Sequence, residues 1–153
     1  MSAPKISARR AAAEASREQF ASDIEYYLTQ QPRQLPSRYF YDALGSALFE
    51  AICRLPWYSI TRAELGLIQS HGRAILGHLA PFSTLVELGP GNGEKLVALI
   101  EAGRTLSEPL NAHLIDVSPA ALSAAARTLS AMPDVHVVTH QAPYEAGLAE
   151  LTH

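Results

Sequence analysis

The run Val86-Glu-Leu-Gly-Pro-Gly-Asn-Gly-Glu-Lys95 places three glycines at alternate positions directly after an apolar stretch. Gly89, Gly91 and Gly93 carry no Cβ, so the backbone there can lie against a ligand and take positive φ where a turn demands it. Two phosphate-binding readings fail on spacing. A Walker loop needs four residues between its first glycine and Gly-Lys, with Ser or Thr next, whereas Lys95 follows Glu94 and precedes Leu96. A dinucleotide fingerprint needs a further glycine where Glu94 stands. Glu87 near the strand end can answer a positive group through the loop, while N–H groups of the turn can hold a carboxylate. Asp116, in His-Leu-Ile-Asp-Val-Ser-Pro, closes a second apolar run, where a carboxylate can accept hydrogen bonds from both hydroxyls of an adenosine ribose. The competing reading makes Glu87 and Asp116 ordinary charges at strand ends and the glycines a plain tight turn.

The elements that must position these groups are predicted in two unlike halves. Residues 16–80 read as a helical subdomain, after a frayed, partly helical stretch over residues 1–15. Phe20, Ile24, Tyr27 and Leu28 mark a first helix from Ser16 to Leu28, and Leu44, Leu48, Phe49 and Ile52 mark a second within Tyr41–Leu55. Thr61-Arg-Ala-Glu64 matches a capping box and predicts the start of a third, with Leu65, Ile68, Ile75 and Leu79 facing inward. After Pro81 the pattern becomes strand Thr84–Leu88, helix Glu94–Ala102, strand Ala112–Val117, helix from Ser118-Pro119 to about Leu129, and strand Val135–Thr139. Residues 81–153 therefore read as α/β: three parallel strands with right-handed crossovers, the first half of a Rossmann-like sheet. Such sheets usually have five or more strands, so the count implies either the front part of a longer protein or a sheet completed by a partner chain.

Bulk properties narrow the class. The 153 residues suit one domain, and a formal charge of −3 leaves no electrostatic footprint for nucleic acid or a membrane surface. The N-terminal Ala-rich stretch lacks the apolar core of a secretory signal, and no apolar run approaches a bilayer span. Cys53 is the single cysteine, which excludes an internal disulfide and fits a reducing cytoplasm; beside Ile52 and Leu55 it reads as a buried, inert thiol. The six histidines show no metal-ligand grouping, and no metal is expected.

The Glu-x-Gly-x-Gly-x-Gly turn resembles that of Rossmann-like methyltransferases that use S-adenosylmethionine. The preceding half sharpens the resemblance. Leu35-Pro-Ser-Arg-Tyr-Phe-Tyr-Asp-Ala-Leu-Gly-Ser-Ala-Leu-Phe49 and then Arg54-Leu-Pro-Trp-Tyr-Ser-Ile-Thr-Arg-Ala-Glu64 resemble, in order, the motifs of the histidine-specific Nα-methyltransferases of ergothioneine biosynthesis. Over roughly residues 20–130 the resemblance implies S-adenosylmethionine as cofactor and the α-amine of L-histidine as methyl acceptor. It further implies that Tyr58, Gly89 and Lys95 contact the cofactor, with Lys95 on its methionyl carboxylate, that Asp116 holds the ribose, and that Tyr41 lines the histidine side. Tyr39 and Trp57 read as packing residues between the helical subdomain and the sheet. Where the family has Gly-Asp after the third strand, His140 and Gln141 stand here, and the Gln141 amide could bond adenine N6. Two other readings accompany this one: a relative acting on another small amine or thiol, and a non-catalytic remnant that pairs with a partner chain.

Overall fold

The structure is a computed structural model. It describes residues 3–103 and 109–151, with side chains from residue 14 onward. Six helices and three strands occur among the described residues: α1 (Ala3–Leu28), α2 (Ala43–Cys53), α3 (Ile60–Leu79), β1 (Thr84–Leu88), α4 (Glu94–Ala102), β2 (Leu110–Asp116), α5 (Pro119–Leu129), β3 (Val135–Gln141) and α6 (Tyr144–Leu151), with a single 3-10 turn at Ser37–Phe40. No described helix is long and apolar enough to cross a membrane. The chain forms two compact units that divide after Phe40, so α2 and α3 belong to the same unit as the sheet.

In the first unit α1 begins well before Ser16, because the alanines that precede it are the strongest helix formers available. Its side-chain focus is Asp23, buried, whose carboxylate accepts from Gln19 at 2.9 Å and from Arg38 and the Tyr39 hydroxyl. The Tyr39 ring meets Phe20 edge-on at 4.8 Å. Tyr39 is thus a packing residue of this unit, anchored at both its ring and its hydroxyl.

In the second unit the three strands are parallel in the order β1-β2-β3. Register pairs Glu87 with Leu114, and Asp116 with Gln141. The core lies on the face covered by α4 and α5, where Leu96, Ile100, Leu110, Ala112, Leu114, Leu122, Ala125 and Leu129 pack together. Strand β2 is buried along most of its length, as expected for the middle strand of a parallel sheet. Strands β2 and β3 are each extended beyond the predicted bounds at one end, and β3 reaches Gln141.

Three expectations are corrected here. The Thr61–Glu64 capping box does not form. Ser59 is the N-cap, Thr61 already lies within the helix, and no side chain caps this end. Helix α3 buries Gly72 and Leu76, while Ile75 and Leu79 are exposed. A Cβ at Gly72 would stand 2.9 Å from the Ala102 Cβ. The bare glycine lets α3 close on α4, and the buried stripe turns about 100° to Leu76, one residue past Ile75. Trp57 is 74% exposed and packs no interface within its unit.

Candidate functional site

Backbone geometry makes the glycine turn. Gly89, Gly91 and Gly93 take φ of 71°, 55° and 82°, the left-handed region that a side chain disfavours. The Gly89 N–H donates to the Ile115 carbonyl at 2.9 Å, so the turn leaves β1 still in register beside the end of β2. The Gly93 N–H closes the turn on the Pro90 carbonyl at 2.9 Å, and Gly93 is the N-cap of α4. Each glycine answers a different neighbour. A Cβ on Gly93 would press the Ala125 backbone at 3.1 Å, so this position serves the approach of the turn to α5. Gly91 faces open space, with only Glu50 Oε1 within 3.8 Å of a notional Cβ. Gly89 lies under the Tyr144 hydroxyl, 2.6 Å from where a Cβ would be. The loop is stiffened by Asn92, whose side-chain oxygen accepts from the Glu94 N–H at 3.1 Å and whose amide reaches Glu50 at 3.5 Å.

Asp116 stands at the end of β2, beside this turn. Its Oδ1 accepts from the Ser118 N–H at 2.8 Å, which fixes the carboxylate, and no bond within the protein engages Oδ2 among the described residues. Ser118 is buried, caps α5 through the Ala121 N–H and meets the Ser46 hydroxyl of α2 at 3.1 Å. Gln141, opposite Asp116 in the ladder, is exposed. Burial raises the Tyr144 phenol above its usual range, with the nearby Asp116 charge and Tyr41 adding to the effect. Tyr144 therefore stays protonated at neutral pH. Gly89, Asp116, Tyr144 and Tyr41 thus gather at the carboxyl ends of the strands, the usual ligand side of an open α/β sheet.

Glu87 and Lys95 belong to a different part of the site. Glu87 shares its face of the sheet with Leu114 and lines a groove of about 400 Å³ between α3, α4 and β1, together with Glu64, Leu67, Lys95 and Leu99. Its Oε2 is buried and meets no hydrogen-bond donor among the described residues. Burial pushes its carboxyl up to about 7, against the pull of the Lys95 charge. The Lys95 ammonium pairs with Glu64 Oε2 at 3.1 Å.

The sequence-predicted residues therefore divide. The glycines, Asp116 and Tyr41 come together at the strand ends, with Gln141 adjacent by register. Glu87 and Lys95 share the groove. Tyr58 packs edge-on against Phe49 at 6.4 Å, with no described contact to the turn. Tyr144, Glu50 and Glu64 were missed. Tyr144 and Glu50 carry no spacing signal in the sequence, and the spacing of Glu64 from Thr61 points to a helix cap rather than to Lys95. Two of the histidines pack on each other: His113 Nδ1 and His140 Nε2 lie 3.0 Å apart with stacked rings, and His140 Nδ1 meets Glu150 at 3.2 Å. No group of three or more His, Cys, Asp or Glu residues could hold a metal among the described residues.

These residues fit S-adenosylmethionine. The bare Gly91, the unengaged oxygen of Asp116 and the orphaned Glu87 oxygen beside Lys95 match a nucleoside joined to a zwitterionic amino acid. Comparison with known proteins agrees. The family model "Histidine-specific methyltransferase, SAM-dependent" matches residues 20–153. A histidine N-alpha-methyltransferase of Mycolicibacterium smegmatis is 35% identical over 144 residues, covering 93% of this chain and 44% of that protein. One of Mycobacterium tuberculosis is 37% identical over 107 residues, covering 70% and 33%. Ergothioneine biosynthesis protein 1 of Neurospora crassa is 32% identical over 110 residues, covering 71% and 12%. The chain thus spans less than half the length of these relatives. A left-handed glycine turn locked beside a strand-end aspartate, matched over most of its length, makes this chain a member of the S-adenosylmethionine-dependent, histidine-specific methyltransferase family.

Proposed function

We propose that the protein serves N-methylation of the α-amine of L-histidine, with S-adenosylmethionine as methyl donor, in the cytoplasm. The observation that carries this reading is the ladder bond from Gly89 to Ile115, which sets the bare turn beside Asp116. The donor supplies a methyl group on a sulfonium, transferable in line to a neutral amine nitrogen. The residues of the chain then have separable tasks. Asp116, held by the Ser118 N–H, accepts from the ribose hydroxyls through its unengaged oxygen. Gly89 and Gly91 let the backbone approach the donor, and Gly93 holds the turn against α5. Lys95 meets the methionyl carboxylate, and Glu87 offers the donor's ammonium an acceptor that is otherwise buried and unpaired. The Gln141 amide bonds adenine, Tyr58 adds a cofactor contact, and Tyr41 orients the amino-acid substrate. Together they convert an encounter of two molecules into an aligned pair.

The test is methyl transfer from labelled S-adenosylmethionine to a panel of L-histidine, other amino acids and small thiols. Label in histidine at its α-nitrogen is the expected result. Transfer to another amine or thiol alone would overturn the substrate, and no transfer to any member would count against catalysis by this chain.

A further inference from the structure

Glu64 is the acid of the Thr-Arg-Ala-Glu stretch, and the structure takes away the local job its spacing suggests. Helix α3 starts at Ile60, after Ser59 as N-cap and with no side-chain cap, so Glu64 does not reach back to the helix end. It reaches instead across to α4, where its Oε2 lies 3.1 Å from the Lys95 ammonium. The side chains of Lys95 and Glu64 remain 40% and 49% exposed, and an ion pair so open to water adds little to folding stability. The placement makes more sense as control of Lys95 itself. A lysine side chain is long and freely rotating, and ordering it when a ligand arrives costs conformational entropy. Helices α3 and α4 pack closely through Gly72 and Ala102, so the backbone that carries Glu64 is held against the helix that carries Lys95. Lys95 is thereby held at the groove that also contains Glu87.

We propose that Glu64 is a positioning residue for Lys95, holding its ammonium where it meets the carboxylate of the donor's amino-acid end. This rests on the donor-binding reading above. The Glu64 carboxylate itself makes no contact with the donor; its effect passes through Lys95.

A double-mutant cycle read by titration calorimetry with S-adenosylmethionine tests it. Glu64→Gln keeps shape and removes charge, and is expected to weaken binding by roughly three- to tenfold. Lys95→Met is expected to weaken it by about tenfold or more. In the Lys95→Met background Glu64→Gln should have no further effect. Binding of 5′-methylthioadenosine, which keeps the nucleoside and lacks the carboxylate, should be equal in wild type and Glu64→Gln. The thermal midpoint of Glu64→Gln should match wild type, and Glu64→Asp provides a second variant with the charge retained and the reach shortened. Wild-type binding with additive effects, or with no effect of Glu64→Gln, overturns the positioning role and leaves the donor site standing. No wild-type binding overturns both.

Discussion

Glu87 concentrates the electrostatics of the site in one side chain. Its carboxyl is raised from 4.5 to about 7 because burial penalises the charged form, and Lys95 recovers part of that penalty. A raised carboxyl binds its proton more tightly in the folded state than in the unfolded one. The stability it contributes is full below about pH 4.5 and is lost as pH rises through about 7. Glu87→Gln should therefore be more stable than wild type at pH 8, by at most about 3 kcal/mol, and the difference should shrink towards pH 4.5. Urea unfolding of both proteins at pH 5 and pH 8 checks this, and a difference independent of pH would contradict it. At this scale the sequence was informative where backbone freedom or charge follows from residue type. It could be read for Gly89, Gly91, Gly93 and Asp116. It could not be read for Tyr144 over Gly89 or Glu50 beside Gly91, because those neighbours are made by tertiary packing with no periodic trace.

Among the elements, β1, α4 and α5 were legible to the residue, since apolar period, the glycine turn and the Ser118-Pro119 start all point the same way. Helix α6 was not foreseen. Its eight residues are too few to show a clear period, and what fixes it is Gly147 packed on the fully buried Ile115 of β2. A Cβ at Gly147 would collide with the Ile115 side chain, so Gly147→Ala should destabilise the protein by about 1–3 kcal/mol despite the better helix propensity of alanine. Equal or greater stability by thermal unfolding would show that α6 does not seat there. The same helix supplies Glu150 to His140, which stacks on His113. Burial first, then the neighbouring His140 and His136, holds the His113 imidazole below its usual 6.5. The unfolded state thus takes up the proton more readily, so the contribution of this strand pair to stability is present above about pH 6.5 and declines as pH falls through it. In an NMR titration the His113 ring should show a midpoint below 6.5, and a midpoint at or above that value would contradict the packing described.

For the molecule as a whole, the order of motifs carried more than any single one. A glycine turn alone admits several ligands. Its place after a short apolar strand, with an acid ending the next, is the arrangement by which open α/β sheets bind nucleosides at their carboxyl ends. Among the described residues of the second unit, α2 leaves Leu44, Leu48, Phe49 and Ile52 exposed, and β1 leaves Val86 and Leu88 exposed. The central claim is that the turn and Asp116 jointly hold the adenosyl donor. Titration calorimetry of S-adenosylmethionine into the protein and into Asp116→Ala is the direct measurement. The account predicts saturable one-to-one binding that weakens by about tenfold or more in the variant; equal affinity in the two proteins, or no binding to either, would contradict it.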